Sequence, residues 1–111
     1  MFEISDSQEN GVTIVLPLGK IDTLTSKGFE EHLLGHVRDG NGPLIVDMSG
    51  VEYVSSFGLR SLLIVAKQMA PSGRKFILFS LSAQVRAVLQ MSGFLRILTV
   101  VPDKDAALAK I

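Results

Sequence analysis

The sequence predicts an α/β fold, a mixed and mostly parallel sheet of about five strands flanked by helices and opened by an antiparallel hairpin. Three observations carry that reading. Two alternating apolar stretches at the start are joined by an Asn-Gly turn. After them, short continuous apolar runs alternate with amphipathic, punctuated helices, the pattern of parallel strands with helical crossovers. And 111 residues, 47% of them hydrophobic, suffice for one core, so residues 1–111 are read as a single domain.

Residues 2–8 and 11–18 form the hairpin around Glu9-Asn10-Gly11. In the second strand Val12, Ile14, Leu16 and Leu18 share one face by the period of two. Pro17 has no N–H for a ladder and belongs at a strand end, a bulge or an unpaired position. Asp22 or Thr23 can cap a helix reaching about Val37, with Phe29, Leu33 and Val37 on its inner face. Gly40 to Pro43 then turn the chain into a strand over residues 44–48, "LIVDM", whose apolar run marks burial on both faces. The segment "SGVEYVSS" reads as a loop into a helix from about Phe57 to Met69, stopped by Pro71 and Gly73. "KFILFS" is a further buried strand. Ser82 caps the next helix, whose inner stripe is Val85, Val88 and Leu89 and which Gly93 ends. "RILTVV" is the last strand, and "DKDAALAK" is a short helix with acidic residues at its start. There is no internal repeat or low-complexity linker.

Eleven basic residues balance eleven acidic ones. Without a basic excess, neither nucleic acid nor an anionic membrane is an expected partner. With no cysteine there is no disulfide, thiolate nucleophile or thiolate metal site. The N-terminal residues lack the basic start and apolar core of a signal peptide, and the longest apolar run, Leu62 to Ala66, is far too short to span a bilayer. A cytoplasmic protein is expected.

Ser55 and Ser56 fall where the chain enters the helix at Phe57. Either can be its N-cap, worth about 1 kcal/mol. A hydroxyl beside unpaired helix N–H groups also stands where a phosphate is electrostatically tolerated. On the helix itself, Leu59, Leu62, Leu63, Ala66 and Met69 share the face expected to meet the sheet. Phe57, Arg60, Ser61, Ile64 and Gln68 share the other. Apolar side chains at Phe57 and Ile64 suggest a docking stripe with Arg60 as a polar anchor.

The stretch "VDMSGVEYVSSFGLRSLL" resembles the signature loop of STAS-domain anti-sigma-factor antagonists, "GKIDTLTS" resembles that family's Asp-containing loop, and "LFSLSAQVRAVLQMSGFLRIL" resembles its closing strand, helix and turn. The similarity runs through nearly the whole chain in order. It implies a regulatory binding protein and not an enzyme. The implied partner is an anti-sigma factor that is also a serine kinase, with a phosphatase if the switch is reversible. Ser56 aligns with the family's phosphoserine, and Ser55, where many members have aspartate, is a competing acceptor. Phe57 occupies a position where a small residue is usual. The expected partner surface comprises Asp22, Thr23, Ser55, Ser56, Phe57, Gly58, Arg60, Ser61 and Ile64, with Asp22 and Asp47 both expected near the serines. The resemblance also admits a non-phosphorylated scaffold or a regulatory subunit, and the same stripe can serve a weak homodimer.

Other chemistries find less in the sequence. A hydrolase built on Ser56, a histidine and Asp22 or Asp47 lacks the G-x-S-x-G elbow, and His32 and His36 lie well along a helix. Those histidines, four apart, make only two ligands, so no metal site is expected. No glycine-rich phosphate loop is present, and no cofactor is expected.

Overall fold

The computed structural model describes residues 2–111. The chain opens with β1 (Glu3–Glu9) and β2 (Val12–Ile21), then runs α1 (Ser26–Asp39), β3 (Leu44–Asp47), β4 (Val51–Val54), α2 (Ser56–Met69), β5 (Phe76–Phe79), α3 (Ala83–Ser92), β6 (Thr99–Val101) and α4 (Lys104–Ala109). Asn10 and Gly11, at φ of 52° and 80°, form the expected hairpin turn, and β1 pairs antiparallel with β2 from Glu3↔Leu18 to Glu9↔Val12. All other pairings are parallel. The order β1-β2-β3-β5-β6 makes five strands, and β4 adds a sixth by pairing with the far half of β2.

The sixth strand is the segment that the sequence reads as a loop. Val51–Val54 reads as loop because it is four residues long and does not alternate: Val51 and Val54 are buried while Glu52 and Tyr53 are exposed. Its partner β2 is correspondingly longer than expected. It pairs with β3 through Thr13–Val15 and with β4 through Gly19–Ile21. Pro17 therefore falls in the gap between the two partners, where a missing N–H costs no ladder bond. The register shifts between Gly19 and Lys20, and Gly19 sits at φ 111°, a conformation that disfavours a side chain.

The two faces of the sheet are covered unequally. Val15, Ile21, Val46 and Leu78 face α1, α2 and α3 in a core that includes Phe29, Leu33, Leu62, Val65, Met69, Val85 and Leu89. Val12, Ile14, Ile45, Ile77, Phe79 and Val101 face α4, which is only six residues long. The expected apolar face of β2 is the one under α4. Leu18, at its far end, lies beyond that cover and is 39% exposed. The predicted inner face of α2 also needs amending: Val65 is fully buried, whereas Leu63 and Ala66 are half-buried.

Edge strand β1 is polar and exposed, which blunts its free ladder. Asp6 in it accepts from His32 Nε2 at 2.8 Å and lies 3.1 Å from His36 Nε2, both on α1. Lys104 reaches across to Glu9 at 2.6 Å, tying α4 to the hairpin.

Helix α2 approaches the ends of β2 and β4 so closely that only glycine fits at position 58. A Cβ there would meet Ile21 Cγ2 and Val54 Cγ1, each at 2.8 Å, and the Ile21 carbonyl at 3.0 Å. Gly58→Ala is expected to cost about 1–3 kcal/mol through overpacking. A thermal melt checks this: a melting temperature within a degree of wild type would mean that the helix moves aside freely.

A second expectation concerns acid. Burial tends to raise the Asp6 carboxyl, but hydrogen bonds from His32 and His36 and their charge outweigh it and hold the group below the usual carboxylate range. A folded value below the unfolded one, about 3.9, gives stability that is present above it and lost as pH falls through the folded value. Urea midpoints between pH 6 and pH 2.5 should therefore fall more steeply for wild type than for Asp6→Asn. Parallel curves would show that the clasp contributes nothing.

Candidate functional site

Parallel strands β2 and β4 end together. Their register closes at Ile21↔Val54, so the residues that follow, Asp22 and Ser55, leave the same edge of the sheet side by side. The Ser55 N–H donates to the Ile21 carbonyl at 2.8 Å and locks this junction.

Ser55 is extended, at φ −80° and ψ 174°, and its hydroxyl accepts from the Gly58 N–H at 3.2 Å, while its carbonyl accepts from the Leu59 N–H at 2.9 Å. Ser55 is thus the N-cap of α2, which settles what the sequence left open between the two serines. Ser56 occupies the first helical position. It is exposed, and its hydroxyl makes no hydrogen bond among the described residues.

Asp22 does not cap α1 as expected. Its Oδ1 accepts from the N–H groups of Leu24 (2.9 Å) and Thr25 (3.1 Å), and Thr25 Oγ1 donates to the Lys20 carbonyl at 2.7 Å. The result is a closed turn over residues 22–25, and α1 begins only at Ser26 with Thr25 as its cap residue. These bonds, the one from Leu24 foremost, hold the Asp22 carboxyl below the usual range. The turn leaves Thr23 exposed and Leu24 91% exposed. Leu24 has no place in the sequence reading. Its one signal is an apolar residue inside an Asp-headed turn, which has no core face to offer it.

Helix α1 packs alongside α2, so the outer stripe of α2 is not simply a solvent face. Ser61 is 3% exposed, and its hydroxyl donates to Glu30 Oε1 at 3.0 Å, with the carbonyls of Phe57 and Ser26 at 3.1 and 3.3 Å. Ser61 and Gly58, both expected on the partner surface, are buried within the fold, Ser61 against α1 and Gly58 against Ile21 and Val54. Phe57 (52% exposed) and Arg60 remain accessible, and Ile64 is half-buried. With Lys27 and Glu30 of α1 they line a shallow groove of about 300 Å³.

A larger hollow, about 610 Å³, opens between β4 and α3, lined by Lys20, Asp22, Glu52, Tyr53, Val85 and Val88. Reading β4 as loop hid it. Asp22 borders this hollow as well as the serine junction.

Of the two carboxylates expected near the serines, Asp47 is elsewhere. β2 meets β3 at Val15↔Val46, so Asp47 lies five residues short of the Ile21 level, about 16 Å along the strand. Its carboxylate instead accepts from the Ser49 N–H and adds to the field on Lys104. Asp6, which holds both histidines, is paired with Val15, about 20 Å along β2 from Ile21. With the chain's two histidines committed there, Ser56 has no imidazole base, and the Ser-His-Asp arrangement does not form. What the junction offers is an exposed hydroxyl, a fixed carboxylate and an apolar-edged groove, which suit recognition. No helix among the described residues is long and apolar enough to cross a membrane.

The STAS domain profile matches residues 3–107. BtrV of Bordetella bronchiseptica, named as an anti-sigma factor antagonist, is 33% identical over 100 residues, covering 90% of this chain and 86% of that protein. The crystal structure of an anti-sigma factor antagonist from Mycobacterium paratuberculosis superposes with a TM-score of 0.91 at 23% identity, over all of this chain and 94% of the other. The anti-sigma factor antagonist SpoIIAA, solved in its unphosphorylated form, superposes at 0.78 with 17% identity, over all of this chain and 98% of its own. The profile match over almost the full length, together with an identity of one residue in three, makes the chain a member of the STAS domain family, with anti-sigma factor antagonists as its relatives.

Proposed function

We propose that this chain is a phosphorylation-controlled anti-sigma factor antagonist of the cytoplasm, which binds an anti-sigma factor with serine kinase activity and releases it once Ser56 is phosphorylated. The observation that carries the reading is the division of labour at the α2 N-terminus: Ser55 spends its hydroxyl on the cap, and Ser56 presents an unengaged one.

That arrangement suits a switch. A phosphate on Ser56 adds about −1.5 to −2 charges at the positive end of a helix dipole, so the fold tolerates it. Arg60 stands four residues on, on the same helical face, and forms no salt bridge among the described residues. A phosphoserine at 56 would draw Arg60 toward itself and away from a partner's acidic groups. The same phosphate would sit beside the Asp22 carboxylate, at the head of the groove that Phe57 and Ile64 line, and a partner fitted to the neutral serine would meet an uncompensated charge. The fold accepts the modification and the interface rejects it.

Quantitative pull-downs from the native cell lysate, with wild type and variants as bait, test this reading. Wild type and Ser56→Ala should retain the anti-sigma factor, and Ser56→Asp should retain at least tenfold less with an unchanged circular dichroism spectrum. Intact-mass measurement should find one phosphate on wild type and none on Ser56→Ala. Equal retention by all three baits would leave a constitutive scaffold as the better account.

The groove gives a separate expectation. Phe57 has little to lose on truncation within the fold, being half exposed. Phe57→Ala should therefore weaken partner affinity by about tenfold or more, the scale of an interface anchor, while the melting temperature stays nearly constant. A titration showing wild-type affinity would remove Phe57 from the interface.

A further inference from the structure

The strongest unassigned cluster lies away from the serine junction, where β1 meets the second half of α1. His32 and His36 are one helical turn apart, with ring centroids separated by 5.3 Å, and Asp6 reaches them from the edge strand. His32 Nε2 is 2.8 Å from Asp6 Oδ1, His36 Nε2 is 3.1 Å from Asp6 Oδ2, and one ligand atom from each of the three residues lies within 4.8 Å of the others.

We propose that Asp6, His32 and His36 form a three-ligand binding site for a divalent transition ion of the zinc class, which fastens the edge strand to α1. Zinc with two imidazole nitrogens and one carboxylate oxygen at about 2.0–2.2 Å places its ligand atoms about 3.3 Å apart. The observed nitrogen–oxygen contacts need to open by only a few tenths of an ångström, and the two nitrogens to close modestly by ring rotation. All three side chains are roughly one-third exposed, which permits that rotation and leaves a side open for a water as the remaining ligand. Two imidazoles and a single carboxylate favour zinc, nickel or copper over magnesium and calcium, which require more oxygen ligands.

The sequence offers His32 and His36 but not the third ligand, which is 26 residues away from His32 and is brought in only by the β1–β2 pairing. The expectation of an incomplete pair is thereby replaced by a complete three-residue set. The site is independent of the proposed switch, since none of its residues borders the α1–α2 groove.

The experiment is calorimetric titration of zinc sulfate into the untagged full chain, stripped beforehand with a chelator. Wild type should bind one equivalent and gain several degrees in melting temperature, and magnesium should do neither. Asp6→Asn, His32→Gln and His36→Gln should each lower zinc affinity at least tenfold and abolish the thermal gain, with circular dichroism confirming the fold. Three single variants on two elements keep the test decisive if one of them folds poorly. Absence of zinc binding by wild type, or binding left unchanged by the variants that fold, overturns the proposal.

Discussion

The rest of the structure depends on β2 holding two different parallel partners in succession. Its first half pairs with β3 and its last three residues with β4, and the segment between them, including Pro17, belongs to neither ladder. This stagger carries β4 beyond β3 and ends it level with Ile21. Only because the two strands end together do the turn headed by Asp22 and the serine junction meet. The register shift at Gly19 and the close seat of Gly58 on Ile21 and Val54 are the local conditions for that meeting. A side chain at position 58 would lift the N-terminus of α2, and with it Ser55 and Ser56, off the strand ends.

The contrast between Ser55 and Ser56 follows from the same junction. Ser55 is the last residue tied to the sheet, through its N–H to Ile21, so its backbone is extended, the conformation an N-cap needs. Ser56 is the first helical residue, and its exposed hydroxyl makes no hydrogen bond among the described residues. Adjacent serines thus have different chemistry for a backbone reason. An aspartate at position 55 would serve the cap equally well, because a carboxylate accepts the same N–H and favours the dipole. The cap role constrains position 55 to a small acceptor, whereas position 56 is free of that constraint.

Most of the framework was legible in the sequence, because its signals were local. The Asn10-Gly11 turn, the runs Leu44–Asp47 and Phe76–Phe79, the Ser82 cap and the Gly93 stop each announce themselves within a few residues, and all are found. What sequence reasoning missed is set by tertiary partners. β4 is a strand only because the end of β2 is there to pair with it. Ser61 looks like a surface residue on a helical wheel until α1 supplies Glu30 and the Ser26 carbonyl. Asp47 shares the strand-ending position of Asp22 in the chain, yet the stagger of β3 against β4 sets it about five residues lower. Of the candidate site, Asp22, the two serines, Phe57, Arg60 and Ile64 were visible, while Leu24 and the hollow beside β4 were not.

Size argues for how a partner must engage this surface. The chain exposes 6242 Å², and a standard interface takes about 800 Å² from each side, or about an eighth of that surface. The groove between α1 and α2 is too shallow to supply such an area by itself. A partner that fills it must also cover neighbouring surface, and Phe57 on the groove wall and Leu24 in the Asp22 turn are both exposed. Those two apolar residues are the ones whose burial would contribute most. On the proposed reading Ser56, next in the chain to Phe57, would fall inside such an interface, where water is excluded and an unpaired phosphate costs most. A rim position would let solvent screen the added charge and blunt its effect. A phosphate on Ser56 inside such a contact would act on all of it, which is the leverage the proposed switch requires.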